Sequence, residues 1–156
     1  MNGEKGFTYI AALFMVVVLS VSLMTARKQW RIIMQRERET ALLYRGDQIV
    51  KGIDSYYHAS PGGRPQYPAS LEHLLKDDRY PGIKRHLRKI FPDPMTKAGE
   101  WGVIRAENER IMGVFSKSAD EPLKQGGFSE SYKDFENKKQ YKDWKFIYDP
   151  DKETKQ

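Results

Sequence analysis

An uncharged run of 20 residues, from Phe7 to Ala26, is the feature that most constrains how this chain folds. Of the 18 residues from Phe7 to Met24, 15 are hydrophobic. A helix of 20 residues is about 30 Å long, which matches the hydrocarbon thickness of a bilayer. The chain as a whole is nevertheless 31% charged, with a mean hydropathy of -0.73. We therefore expect one membrane-spanning helix over residues 7–26 and one small charged domain outside the membrane.

The helix is expected to continue well beyond the apolar run. No proline occurs between Phe7 and His58, and the first cluster of helix breakers begins at Ser60. Residues 27–58 are amphipathic, with hydrophobic residues and one glycine on a single face: Leu42, Leu43, Gly46, Ile49, Val50, Ile53, Tyr56 and Tyr57. The sequence therefore predicts one helix over about 7–58, whose second half packs on a head formed by residues 59–148, followed by a polar tail at 149–156.

The head is predicted to combine short helices with a small sheet. Ser70 precedes a short helix that ends at Leu75, and residues 83–91 are predicted to form another helical turn or two. Residues 101–105 and 111–115 flank a polar turn and predict a hairpin, and alternating aromatic residues at 144, 146 and 148 predict a third strand. The predicted fold class is α+β, with an antiparallel sheet packed against the long helix.

The sequence contains no recognised catalytic pattern. It has no cysteine, which excludes disulfides, thiolate chemistry and iron–sulfur clusters. Its three histidines, His58, His73 and His86, form no known metal-binding spacing and are expected at the surface. We therefore expect a protein that is not an enzyme and that has no cofactor.

The positive charge of the chain leaves a binding function open. The net charge is +6, and five of the six residues at 84–89 are basic or are histidine. Such a stretch can contact phosphates, but it contains no interleaved aromatic residues and matches no nucleic-acid-binding motif. We interpret it as a solvated face, and nucleic acid is not expected as a partner.

The N-terminal junction Glu4-Lys5-Gly6-Phe7-Thr8 resembles the leader of type IV prepilins and of type II secretion pseudopilins. In that family a hydrophilic leader ends in glycine immediately before an apolar helix that opens with phenylalanine. The resemblance implies that a prepilin peptidase removes residues 1–6 by cutting between Gly6 and Phe7, and that Phe7 becomes N-methylphenylalanine. The order of the predicted elements is most similar to the G-type, or major, pseudopilin.

The resemblance also implies a location and a set of partners. A pseudopilin is a single-pass protein of the inner membrane, with its N-terminus in the cytoplasm and its head in the periplasm. Its partners are other pseudopilin subunits, the prepilin peptidase and methylase, and the inner-membrane assembly platform. The assembled periplasmic pseudopilus of a type II secretion system pushes exoproteins across the outer membrane. Two alternatives are a minor type IV pilin of a surface or DNA-uptake pilus and an uncut, membrane-tethered basic binding domain.

Two features depart from the family pattern or stand against the expected orientation. The family usually has glutamate at the fifth residue after the cut, a position that is Ala11 here. Charge counting opposes the expected orientation, because Lys5 precedes the apolar run whereas Arg27, Lys28 and Arg31 follow it.

The resemblance also raises a calcium site. Members of the G type often bind calcium in the loop before the last strand. In this chain that loop offers Asp120 and Glu121 as oxygen ligands, with Lys117 and Lys124 nearby. Calcium is therefore the one exception left open to the expected absence of a cofactor, with a solvated turn as the simpler interpretation.

Overall fold

The computed structural model describes the backbone of residues 3–153 and the side chains of residues 7–20 and 29–151. The chain divides into two compact units, Met1–Glu37 and Arg38–Gln156. Helix α1 spans Gly3–His58. The long N-terminal helix is therefore confirmed, and it includes residues 3–6, which precede the predicted start at residue 7.

Helix α1 ends where the sequence places its first breakers. The Ser60 hydroxyl donates to the carbonyl of Tyr57 at 2.9 Å, and the N–H of Ala59 donates to the carbonyl of Ser55 at 3.1 Å. Carbonyls in the last turn of a helix lack partners within the helix, so these bonds satisfy part of that need. Pro61–Gly63 then forms a short 3₁₀ turn that leads the chain away.

The sheet lies entirely in the second unit and contains three antiparallel strands in the order β1-β2-β3. The strands are β1, Trp101–Arg105; β2, Ile111–Ser116; and β3, Lys145–Ile147. Val103 pairs with Val114, and Val114 pairs with Phe146 on its other side. The predicted hairpin and third strand are confirmed. They form here because β-branched and aromatic residues favour the pleated, half-buried surface of a sheet.

The core of this unit lies between the sheet and the second half of α1. The side chains of Leu42, Ile49 and Ile53 are fully buried, and every residue of the predicted apolar face is buried or half-buried. On the sheet side, Phe146 is fully buried and lies directly against Gly46. The predicted packing of the helix on the sheet is thus observed within residues 38–151, and the fold class is α+β.

Aromatic rings fill the end of the core near β3. The rings of Phe135 and Trp144 are stacked with 5.4 Å between centroids and 7° between planes, and Phe146 meets Phe135 edge-on at 5.0 Å. Two 3₁₀ turns, Glu130–Phe135 and Tyr141–Asp143, bring these residues to the sheet. The alternation of aromatic residues at 144, 146 and 148 therefore marks a buried face, as predicted.

The segment between α1 and β1 differs from the prediction in one place. Leu71–Leu74 forms a 3₁₀ helix after Ser70, close to the predicted short helix. The helical turns predicted for 83–91 are wrong, because that segment is irregular. Its backbone is hydrogen-bonded to an earlier segment instead: the N–H groups of His86 and Leu87 both donate to the carbonyl of Leu74 at 2.9 Å.

The predicted polar tail contains a short helix, α2, at Pro150–Glu153. The last residues of that tail, 154–156, lie outside the described residues.

Candidate functional site

The most unusual surface in the first unit is the apolar part of α1. Every residue from Phe7 to Leu19 is exposed, and its large hydrophobic side chains are between 48% and 76% exposed. Such residues lie on all sides of the helix because they follow one another without a polar stripe. A helix that is apolar all round is normally covered by lipid or by other helices. These residues therefore form an exposed apolar surface on the first unit.

The sequence-predicted processing residues all lie on this part of the helix. Gly6, Phe7 and Ala11 fall within α1, and the Phe7 side chain is 76% exposed. Ala11 is also exposed and presents only a methyl group, where pseudopilins usually have a carboxylate. The geometry leaves Phe7 accessible, although cleavage and methylation at this junction stay predictions.

The hydroxyl of Ser20, in the same stretch, is bonded to its own helix. Its Oγ atom donates to the carbonyl of Val16 at 2.7 Å. Serine commonly satisfies its hydroxyl in this way in apolar surroundings. Ser20 therefore brings no unmet hydrogen-bond donor to the apolar surface.

Within the described residues, no helix provides a stretch both long and apolar enough to count as a candidate membrane span. The side chains of residues 21–26, which complete the predicted span, lie outside the described side chains.

In the second unit, a cluster of polar groups centred on Asp77 joins the end of α1 to the segment that follows. Asp77 is fully buried, and Arg79 donates to both of its oxygens, from Nε and from Nη2, at 2.8 Å each. Arg79 also donates to the Tyr56 carbonyl at 2.8 Å and to the Ser60 hydroxyl at 2.6 Å. Arg79 therefore caps the C-terminal end of α1, where a cation is favourable.

The electrostatics of this cluster are dominated by the ion pair. Burial alone would raise the pKa of Asp77, but the hydrogen bonds from Arg79 and His86 outweigh it and hold the pKa well below its usual range. The same hydrogen bond raises the pKa of Arg79 above its ordinary value. Both groups are therefore charged at neutral pH.

His86 extends the cluster back to the helix. Its side chain is 1% exposed, so the expectation of a surface histidine is wrong at this position. His86 Nε2 lies 3.1 Å from Asp77 Oδ2, and Nδ1 lies 2.8 Å from Ser55 Oγ. A carboxylate only accepts hydrogen bonds, so Nε2 carries a proton.

Serine, histidine and aspartate in this order are also found in hydrolases, but the setting here does not favour that chemistry. Ser55 lies inside α1, where backbone N–H groups are already bonded to carbonyls four residues earlier. The helix therefore has no free N–H pair beside Ser55 to stabilise an oxyanion. Asp77, in turn, is already paired with Arg79. We interpret the cluster as a clamp that fixes the segment at 77–86 on the helix.

A second buried carboxylate, Glu39, ties the start of the second unit to its far end in sequence. Its side chain is 4% exposed, and Oε1 accepts hydrogen bonds from the N–H of Leu123 at 2.6 Å, the N–H of Lys124 at 3.1 Å and the Tyr141 hydroxyl at 2.8 Å. Glu39 thus holds the loop that leads towards β3 against α1.

The sequence-predicted calcium ligands lie in that same loop. Asp120 and Glu121 are exposed, and Asp120 Oδ2 accepts a hydrogen bond from the Ser118 hydroxyl at 3.1 Å. In the part of the chain that the structure describes, no group of three or more histidine, aspartate or glutamate side chains is placed to hold a metal ion.

Sequence reasoning did not identify Glu39 or the Asp77 cluster. The partners of Glu39 lie 84, 85 and 102 residues away, and those of His86 lie 31 and 9 residues away. For Glu39 one signal was available in the sequence: it is a charged residue at the edge of an apolar helical face. A carboxylate at such a place must be either solvated or hydrogen-bonded.

No protein-family model, no curated protein and no solved structure matches the chain.

Proposed function

We propose that this protein is a structural subunit of the pseudopilin type in a type II secretion system. A prepilin peptidase cuts between Gly6 and Phe7, and Phe7 is then N-methylated. The subunit is held in the inner membrane by residues 7–26, with its head in the periplasm, until it joins a pseudopilus that pushes exoproteins across the outer membrane. Its role is mechanical, and we propose no catalytic activity.

One observation carries this proposal: the apolar surface of α1 is exposed on all sides. Ten large hydrophobic side chains between Phe7 and Leu19 are about half or more exposed. Covering a large apolar side chain is worth roughly 1.5–3 kcal/mol when burial is complete, so covering ten half-exposed ones is worth on the order of 10 kcal/mol. That is as large as the stability of a typical domain. A bilayer, and later a bundle of neighbouring helices, supplies this cover.

The second half of α1 is held firmly within the second unit. Residues 42–57 are fixed to the sheet by the apolar face, and the Asp77 cluster and Glu39 attach the connecting segments to the same helix. In the proposed filament the apolar helices lie side by side and exchange lipid contact for helix contact. The heads then form the surface.

The absence of the family glutamate alters one step of this assembly. A carboxylate inside the membrane costs about 2.5–3.5 kcal/mol at the bilayer centre and less near the edge, where position 11 lies, and in most of the family its pairing with a neighbour's N-terminal amine offsets part of that cost. Ala11 avoids that cost but offers no partner to the N-terminal amine of a neighbouring subunit. We propose that the subunit therefore joins the filament at an atypical position, through apolar contact alone.

The orientation is the step that opposes the charge rule, so it gives the sharpest test of location. The chain has no cysteine, and Ala119 is exposed in the head. An Ala119→Cys variant in intact cells with a permeable outer membrane should react with a membrane-impermeant maleimide, as a periplasmic head requires. Labelling only after the inner membrane is lysed would place the head in the cytoplasm and contradict the proposal.

The processing step is tested with a matched pair of glycine variants. Gly6→Val should block cleavage and leave uncut precursor, because the peptidase requires glycine before the cut. Gly3→Val lies in the same leader and should be cut normally. Equal cleavage of both variants would contradict a prepilin-type leader.

A further inference from the structure

A groove on the second unit lies between α1 and the basic segment at 84–91. Its volume is about 670 Å³, which falls in the range of roughly 300–1,000 Å³ typical of small-molecule sites. One wall is helical and includes Tyr44, Gln48 and Lys51, and the other includes Arg88, Lys89 and Phe91.

The segment that forms the second wall is firmly held. The buried ring of His86 is bonded to Ser55 and Asp77, and the buried side chain of Leu87 packs beside Gly52. The next residues therefore leave the surface at a fixed place. Arg88 and Lys89 are exposed on this anchored backbone, and Lys89 Nζ lies over the Phe91 ring, 4.8 Å from its centroid.

The charge of the groove is one-sided. Its nine lining residues include three cations, Lys51, Arg88 and Lys89, and no carboxylate. A second cavity, of about 470 Å³, is lined instead by two lysines and three aspartates. Lys51 is paired with Asp47 at 2.8 Å, but in the described part of the chain Arg88 forms no ion pair. The larger groove is therefore suited to an anion.

An exposed aromatic ring and a side-chain amide lie beside these cations. Tyr44 is 58% exposed and meets the half-buried Phe91 edge-on, with 6.3 Å between ring centroids and 70° between planes. An edge-on contact covers at most one face of the Tyr44 ring, and the ring is largely exposed, so a face is available for stacking. The side-chain amide of Gln48 makes no hydrogen bond to any described residue. A planar ligand that carries polar edges fits these groups.

Cations, an exposed aromatic ring and an amide that is not bonded to any described residue lie in one groove, and such groups can contact the phosphates and bases of a nucleic acid. We infer that this groove binds single-stranded nucleic acid, with Arg88, Lys89 and Lys51 on phosphates and Tyr44 stacked on a base. The basic stretch alone led to the opposite expectation because residues 84–89 contain no aromatic residue, whereas the fold brings Tyr44 to them from 40 positions earlier. This activity goes beyond the proposed structural role and does not depend on it.

The test uses the full chain in a non-ionic detergent and a fluorescein-labelled oligo-dT strand of about 12 nucleotides, followed by anisotropy. Two to three phosphate contacts predict that log K falls with log salt at a slope between about -1.4 and -2.1. Tyr44→Ala should weaken binding about 5- to 150-fold, the range found when one stacked base is lost. Tyr44→Phe keeps the ring and should bind nearly as well as the unchanged protein.

Charge variants separate specific contact from general attraction. Arg88→Gln should reduce the salt slope by about 0.7, the share of one phosphate contact. Lys139→Gln removes an exposed cation that lines neither cavity and should leave the slope almost unchanged. Equal effects of these two variants would overturn the inference.

Competitors decide the class of ligand. Unlabelled oligo-dT should displace the probe more effectively than a duplex of equal length, and thymidine monophosphate should displace it only weakly if the strand rather than the free nucleotide is bound. Displacement by poly-glutamate as effective as by oligo-dT would identify an acidic protein partner instead and overturn the inference. No binding at low salt, or binding that survives Tyr44→Ala, would also overturn it. The mass of the same preparation reports leader cleavage, so the proposed function is judged separately.

Discussion

Replacing Gly46 with alanine tests how closely α1 packs on the sheet. A Cβ atom at this position would lie 2.5 to 2.6 Å from three carbon atoms of the Phe146 ring, whereas carbon atoms in contact are normally about 3.5–4.0 Å apart. The ring or the helix must therefore move by about 1 Å. Phe146 is fully buried and contacts the rings of Trp101, Tyr132 and Phe135, so the ring has little room to move.

The expected change in stability combines two opposing effects. Alanine is favoured over glycine inside a helix by about 1 kcal/mol. Inserting a methyl group into a packed core costs about 1–3 kcal/mol, and a contact this short on a confined ring belongs at the upper end. Gly46→Ala should therefore lower the free energy of unfolding by about 2 kcal/mol.

Gly52→Ala is the matched control, six positions along the same helix. A Cβ atom at Gly52 would lie 3.6 Å from its nearest neighbours, which include Leu74 Cδ1 and Leu87 Cβ, and this is an ordinary contact distance. Only the gain in helix propensity remains, so this variant should be more stable by up to about 1 kcal/mol.

Urea unfolding of the full chain in a non-ionic detergent measures both changes. Tryptophan fluorescence is a suitable signal because Trp101 and Trp144 are buried, whereas Trp30 is exposed and contributes a nearly constant background. The two alanine variants should differ by about 3 kcal/mol, with opposite signs relative to the unchanged protein. If Gly46→Ala is as stable as Gly52→Ala, the close contact with Phe146 does not exist and the reasoning fails.

Three further predictions concern the buried carboxylates and the family departure. Glu39→Ala should lower the free energy of unfolding by about 3 kcal/mol, because it leaves two backbone N–H groups and the Tyr141 hydroxyl without their acceptor. Tyr141→Phe should lower it by only about 1 kcal/mol, and equal losses in urea unfolding would contradict this. The pKa of Asp77 is lowered by folding, so the stability that its carboxylate provides is present above the unfolded pKa of about 4 and is lost as the pH falls below it. Asp77→Asn should lower the free energy of unfolding by about 3 kcal/mol at pH 7 and should make stability fall less steeply in acid. An equally steep fall in acid would refute the assignment. Ala11→Glu should still be cleaved and should increase cross-linked multimers in membranes by restoring a partner for the neighbour's amine, whereas Ala12→Glu should decrease them; the same yield from both variants would show that the position of the carboxylate does not matter.

Much of the fold was predictable because local patterns agreed with the final packing. The proline-free stretch to His58, the apolar face from Leu42 to Tyr57 and the aromatic alternation around Phe146 each indicated the correct element. These patterns reflect which faces are buried, and burial is what the spacing of apolar residues reports.

The segment at 83–91 was predicted wrongly for a physical reason. Short runs of basic and aliphatic residues have reasonable helix propensity, but nucleating a helix is costly and tertiary contacts decide the outcome. Here the carbonyl of Leu74 accepts hydrogen bonds from the N–H groups of His86 and Leu87, and the carboxylate of Asp77 is hydrogen-bonded to the His86 ring. None of these partners lies within one helical turn, so no local pattern reveals them.

The candidate sites divide in the same way. The apolar helix and the junction at Gly6 are continuous in sequence, so both are recognisable from the order of the residues alone. The groove for which we infer nucleic-acid binding and the Glu39 contacts join residues about 40 to 100 positions apart, so they become visible only when the chain is folded.

The central claim is that this chain is processed as a prepilin-type protein, and the intact mass of the protein extracted from cells with an active prepilin peptidase tests it most directly. We predict a mature chain that lacks residues 1–6, begins at Phe7 and carries one methyl group on the new N-terminal amine. A chain that retains Met1 to Gly6 in the presence of the active peptidase would contradict the claim.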